Sequence, residues 1–208
     1  MIDHTFWYAS RAAGISAYLL LSLSTIWGLT LSTRLGERLT GKPSLYEAHR
    51  VTSLLALAFT AIHMVVLLGD DYLSWGIGQL LLPLAAPYRP LATATGILAM
   101  YCTVVVVASF YVRSRIGYRT WRRIHYAAFF SYAAATLHGI TAGTDTREPW
   151  MLALYAGSLV AVAFLVNLRL LGGAGPKRPI IKNLSSIPQE RRMPGRDAKV
   201  TTSQGGLR

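Results

Sequence analysis

Five windows without a single Asp, Glu, Lys or Arg decide what this chain can fold into. They are residues 12–33, 51–69, 90–112, 124–144 and 149–168. Each is close to the ~20 apolar residues needed to cross a hydrocarbon layer about 30 Å thick. In that layer a spanning segment must satisfy its own backbone polar groups, which a helix does. The windows predict an all-α integral membrane protein, a five-helix transmembrane bundle. Composition agrees: 52% of the 208 residues are hydrophobic and 14% are charged, against roughly 25% charged in soluble domains.

The charges between the windows set the expected orientation. Assigning loops alternately to two sides places 18 of the 21 Lys and Arg on one side. That side holds Arg34, Arg38, Lys42, Arg50, Arg113, Arg115, Arg119, Arg122, Arg123 and the basic residues from Arg169 onward. The other holds only Arg11, Arg89 and Arg147, beside Asp3, Asp70, Asp71, Asp145 and Glu148. Basic loops stay cytoplasmic, so the N-terminus is expected outside and the C-terminus inside, in the cell's inner (plasma) membrane. The net charge of +12 is accounted for by topology and needs no nucleic acid. No cleaved signal peptide is expected, because no basic region precedes a first apolar run that is longer than a signal core. Cys102 is the only cysteine, which excludes intrachain disulfides, Cys-rich metal sites and a C-x-x-C-H heme attachment.

Between the second and third windows, YLSWGIGQLLLPLAAPY (72–88) is apolar but broken by Gly76, Gly78, Pro83 and Pro87. An interfacial or re-entrant segment on the outer surface is expected there rather than a sixth span. Residues 171–208 are polar and basic, too poor in large apolar side chains to fold alone, and read as a disordered cytoplasmic tail. GGAGPK lacks the spacing and Ser/Thr of a phosphate-binding loop. The membrane domain is thus expected over 5–170.

HRVTSLLALAFTAIH (49–63) and HYAAFFSYAAATLH (125–138) place a histidine at each end of the second and fourth windows. Polar groups within spans are costly and mark functional sites by default, although one histidine alone can simply hydrogen-bond across a helix contact. Both windows run from inside to outside. His49 and His125 lie at the cytoplasmic ends, and His63 and His138 each precede an outer Asp by seven residues. Depth pairs His49 with His125 and His63 with His138, the two levels about 20 Å apart along the helices. Two facing imidazoles at one depth can take heme iron between them. Small residues between the ligands (Ala56, Ala58 and Ala61; Ala127, Ala128, Ala133, Ala134 and Ala135) leave room for a planar ring, though such residues are also ordinary at membrane helix contacts. At 100° per residue a spacing of fourteen returns within about 40° of one face. A spacing of thirteen misses by about 140°, so the fourth window needs local tightening, tilt or different side-chain reach.

These stretches, with WYASRAAGISAYLLLSLSTIWG (7–28), PYRPLATATG (87–96), GYRTWRRIHY (117–126) and LHGITAGTDTREPWMLAL (137–154), resemble the ferric-reductase-like transmembrane domain superfamily over about residues 5–170. That group includes ferric reductases, NADPH-oxidase membrane domains and the heme-binding partner of a periplasmic methionine sulfoxide reductase. The resemblance implies two b-type hemes held by His49, His63, His125 and His138, and the thirteen-residue spacing occurs in that superfamily too. No flavin or nicotinamide domain follows the spans in this sequence. The chain is therefore expected to be an oxidoreductase electron-transfer subunit fed by a separate flavoprotein reductase or a membrane quinol. Its extracytoplasmic acceptor would be ferric iron or a periplasmic reductase.

Arg11 and Arg89, at outer ends of spans, are candidates for the outer heme propionates, which favour cationic partners. Arg50, Arg119, Arg122 and Arg123 could serve inside, where topology already accounts for them; the basic inner loops could also meet anionic lipid. Trp7, Tyr8, Tyr88 and Trp150 are expected in an aromatic belt, Asp145 in a solvated loop, and His4 in solvent. The competing reading is a histidine-based transporter of zinc or copper. Against it, the spans hold no acidic residue, and two imidazoles alone are an incomplete site for such ions.

Overall fold

The computed structural model describes residues 5–33, 42–70 and 75–172, and all the regular structure in them is helical. The helices are α1 (Thr5–Ser32), α2 (Lys42–Leu67), α3 (Ile77–Leu81), α4 (Pro90–Tyr111), α5 (Arg113–Ile116), α6 (Tyr118–His125), α7 (Ala127–Ala142) and α8 (Pro149–Gly172). Asp3, His4, Arg34, Arg38, Asp71, the first three residues of the 72–88 segment and the basic tail from residue 173 lie outside the described residues.

Among the described residues, four helices are long and apolar enough to cross a membrane: Thr5–Ser32, Pro43–Leu67, Pro90–Tyr111 and Pro149–Leu171. The expected fifth span, 124–144, is built differently. It is divided between the end of α6 and α7, which has only 16 residues, about 24 Å at 1.5 Å per residue. Tyr126 between them keeps right-handed helical dihedrals (φ −65°, ψ −20°), but the hydrogen-bond ladder tightens. The N–H of Tyr126 donates to the carbonyl of Arg123 (3.2 Å) and that of Phe129 to the carbonyl of Tyr126 (3.1 Å). These are three-residue steps of the 3₁₀ kind. The path stays helical while the four-residue ladder is interrupted, so no single long helix forms.

The residues facing outward are apolar. Leu91, Val160, Val65 and Phe164 are among the most exposed side chains of the spanning helices. Turned inward are Ser10, Ser22, Ser24, Ser109, Ser131, Thr136 and Ser158. This is the arrangement expected where lipid solvates the outside, so that small and polar side chains glue helices together. Packing is pairwise: α1 lies along α2, α4 lies along α7, and α1 also touches α7 and α8. Tyr18, Tyr132, Met151, Tyr155, Val162 and Leu165 form the core between α1, α7 and α8. The phenols there are satisfied internally. Tyr18 and Ser158 share a hydrogen bond of 2.8 Å, and the Tyr132 hydroxyl donates to Ser158 Oγ at 3.0 Å.

The segment from Trp75 to Tyr88 contains only the five-residue α3. It folds over the end of α2, with Trp75, Leu80 and Ala86 packed against Met64, Leu67 and Tyr88. Ile77, Leu82 and Leu84 point outward. Pro90 then starts α4 at its first turn, where its missing N–H costs nothing.

Candidate functional site

Helix α2 carries His49 and His63, α6 ends on His125, and α7 carries His138. The fold brings the four together as two pairs. The His49 and His125 rings lie 6.0 Å apart between centres at 81°, and the His63 and His138 rings 6.5 Å apart at 71°. The tightened turn at Tyr126 accounts for part of the awkward thirteen-residue spacing. A 3₁₀ step turns about 120° per residue instead of 100°, so some three residues recover roughly 60° of the 140° deficit. Side-chain reach supplies the rest.

Three of the four imidazoles are anchored in the same way. His63 Nδ1 donates to the backbone carbonyl of Ser10 at 2.8 Å, His49 Nδ1 to that of Ser24 at 2.9 Å, and His138 Nδ1 to that of Ala92 at 2.8 Å. Ser10 Oγ and Ser24 Oγ each lie 3.1 Å from the same Nδ1 atoms. A proton held on Nδ1 by a carbonyl leaves Nε2 as the lone-pair nitrogen, the usual second-shell arrangement of a ligating histidine.

Each anchored ring also rests against a glycine four residues beyond its carbonyl. A Cβ at Gly14 would come within 3.0 Å of His63, one at Gly28 within 3.1 Å of His49, and one at Gly96 within 2.7 Å of His138. The sequence reading missed these seats, yet a signal existed. Ser10-x-x-x-Gly14 and Ser24-x-x-x-Gly28 repeat at fourteen residues on α1, the spacing of the two histidines on the neighbouring α2. Ala92 and Gly96 repeat the offset on α4.

His125 is the exception. No carbonyl receives its Nδ1 among the described residues; its ring stacks on Trp121 at 5.2 Å and 29°.

A cavity of about 390 Å³ opens beside His63 and His138, lined also by Gly14, Gly96, Arg11 and Trp75. A smaller one of about 110 Å³ lies beside His49 and His125, lined also by Gly28, Arg122 and Arg169. The ring separations fit a metal held between them. A nitrogen–metal distance of about 2 Å on each side, with roughly 1 Å from nitrogen to ring centre, gives about 6 Å. Among the described residues no group of three or more His, Cys, Asp or Glu is placed to hold a bare metal ion. Two facing imidazoles suit iron whose equatorial ligands come from a macrocycle.

Arg11 sits on the lining of the larger cavity and is ion-paired with Asp145. This corrects the solvated loop expected for Asp145, which is only 8% exposed. A buried carboxylate needs a counterion, and the fold supplies one across more than a hundred residues of sequence. The guanidinium of Arg89 donates to the carbonyl of Thr141 and lies over the Tyr88 ring. Arg50 pairs with Glu47 at 2.9 Å.

An all-helical membrane protein with small-residue helix contacts and two facing histidine pairs defines a class of membrane domain built around paired imidazoles. Comparison with known families gives it a place: the family model described as ferric reductase like transmembrane component matches residues 13–136. The chain belongs to this family. Domains of the family generally bind heme, and the match supports transmembrane electron transfer. Comparisons with curated proteins and with solved structures returned no match.

Proposed function

We propose that the chain is a b-type transmembrane cytochrome of the inner (plasma) membrane, with five spans, its N-terminus outside and its C-terminus inside. In this reading α6 and α7 together provide the fifth crossing. His49 and His125 hold an inner heme, and His63 and His138 an outer one. When bound, the hemes supply one-electron redox chemistry. The chain keeps the imidazoles at a fixed separation, presents the Nε2 atoms of His49, His63 and His138, and insulates the site in an apolar bundle. Held by two histidines, heme iron would favour electron transfer over ligand chemistry. Arg11, on the cavity lining and shared with Asp145, and Arg89 are the cations proposed for the outer propionates.

The donor on the cytoplasmic side is a separate flavoprotein reductase or a membrane quinol. The acceptor outside is ferric iron or a periplasmic reductase. One observation carries the reading: two imidazole pairs at 6.0 and 6.5 Å, three of the four rings donating Nδ1–H to a backbone carbonyl. A reduced-minus-oxidised spectrum of the purified chain, with heme counted per polypeptide, tests it. A b-type spectrum with about two hemes per chain is expected. Colourless protein from cells supplied with heme precursor would overturn it.

A further inference from the structure

The asymmetry among the four histidines points to a partner of His125, about one helical turn away, that the other three do not need. His125 ends α6 immediately before the interrupted ladder at Tyr126. Neither a carbonyl on Nδ1 nor a continuous helix after it fixes its ring. Trp121 lies four residues earlier, on the same face of α6, with its indole stacked on the imidazole at 5.2 Å and 29°.

Trp121 is itself clamped. Tyr118 packs on it at 5.6 Å, and the Arg113 guanidinium lies 5.4 Å from its ring centre and 5.2 Å from that of Phe110. The turn that folds α5 back towards α6 passes through Gly117 at φ +78°, a backbone conformation other residues adopt only with strain.

The ordinary role of a tryptophan at a membrane boundary is to anchor the helix, with its N–H turned to the headgroups and water. Trp121 does not do this: its Nε1 is buried and, among the described residues, has no hydrogen-bond partner. A buried indole that leaves its donor unused is held by its faces, and one face carries His125.

We propose that Trp121 is a positioning residue of the inner site, fixing by stacking the imidazole plane of His125 as backbone carbonyls fix the other three rings. The inference rests on the heme reading above. Two consequences follow for the inner heme. Its His125 ligand has a defined plane but lacks the added basicity that a carbonyl acceptor gives an imidazole. Its stability also depends on the Arg113–Trp121 clamp, whereas that of the outer heme does not.

The test uses the full, heme-loaded chain in detergent, with Trp121→Leu, Trp121→Phe and Tyr118→Leu. Two readouts are taken: the low-spin ferric EPR signal of each heme, which responds to the relative orientation of the axial imidazole planes, and the midpoint potential of each heme by redox titration. Trp121→Leu is expected to shift or broaden the inner signal, move the inner potential and weaken inner-heme retention about 10- to 100-fold. The outer heme should stay unchanged and thereby report that the bundle is folded. Trp121→Phe, which keeps an aromatic face, should restore most of the inner signal. An inner signal and potential unchanged in Trp121→Leu would overturn the proposal, as would an equal shift of both signals with both hemes retained, or failure of phenylalanine to rescue. Should Trp121→Leu lose both hemes, Tyr118→Leu decides at an exposed position: a smaller shift confined to the inner signal supports the clamp, and no shift refutes it. Wild-type chain that purifies without heme refutes the parent reading instead.

Discussion

Adding one methyl group at Gly96 gives the sharpest measure of how tightly the histidines are held. A Cβ built there lies 2.7 Å from His138 Nδ1 and 2.9 Å from its Cε1 and Cγ. Carbon and nitrogen atoms in contact prefer about 3.5 Å or more, so the ring must retreat by roughly 0.8 Å or the helices must separate. Either movement strains the 2.8 Å bond from Nδ1 to the Ala92 carbonyl. Overpacking of this kind costs about 1–3 kcal/mol, and the lost hydrogen bond about 0.5–1.5 kcal/mol. A combined penalty of about 2–4 kcal/mol corresponds to roughly 30- to 1,000-fold weaker holding of the outer heme. The assay is heme per chain in Gly96→Ala after dilution or competition with apomyoglobin, read separately for the two hemes. The other glycines grade the effect. Gly14→Ala meets His63 at 3.0 Å and Gly28→Ala meets His49 at 3.1 Å, so both should cost less, while Gly157→Ala has nothing within 4 Å and should be silent. If Gly96→Ala keeps its outer heme as firmly as the parent, or Gly157→Ala loses as much, the packing argument fails.

Other perturbations test separate parts of the site. His63→Ala should remove the outer heme and spare most of the inner one, halving the heme count; loss of neither heme would refute the pairing. Arg11→Met leaves the buried Asp145 without its counterion and should lower stability by about 1–3 kcal/mol. Adding Asp145→Asn should recover part of the loss, as a thermal-unfolding double-mutant cycle in detergent would reveal; strictly additive losses would mean that the pair is not coupled. Gly117→Ala, at φ 78° and ψ 156°, should cost about 1–3 kcal/mol of backbone strain and disturb the inner heme first. Unchanged inner-heme potential and melting temperature would show that the turn tolerates a side chain.

The helical membrane architecture was legible because bilayer thickness imposes a length and a charge-free composition on every crossing. α1, α2, α4 and α8 follow directly from those windows. The site was half legible. His49, His63, His125 and His138 stood out because imidazoles are rare and costly in lipid, and matching their depths needed only the helical rise. Their seats were harder to see, since Ser10, Gly14, Ser24, Gly28, Ala92 and Gly96 are common residues at any membrane helix contact. Only the match between the Ser-x-x-x-Gly repeat on α1 and the histidine repeat on α2 distinguishes them. The pairing of Arg11 with Asp145 joins residues 134 positions apart, and nothing local marks it.

The sequence by itself determined that this chain enters a membrane as helices and carries imidazoles at two levels, because hydrophobic length and the cost of polar groups in lipid act residue by residue. The tertiary structure decided which nitrogen is left free and which glycine yields room for the rings of His49, His63 and His138, and where the helix after His125 tightens. Those outcomes depend on distances between segments that approach one another only in the packed bundle, and no periodicity within one helix encodes them.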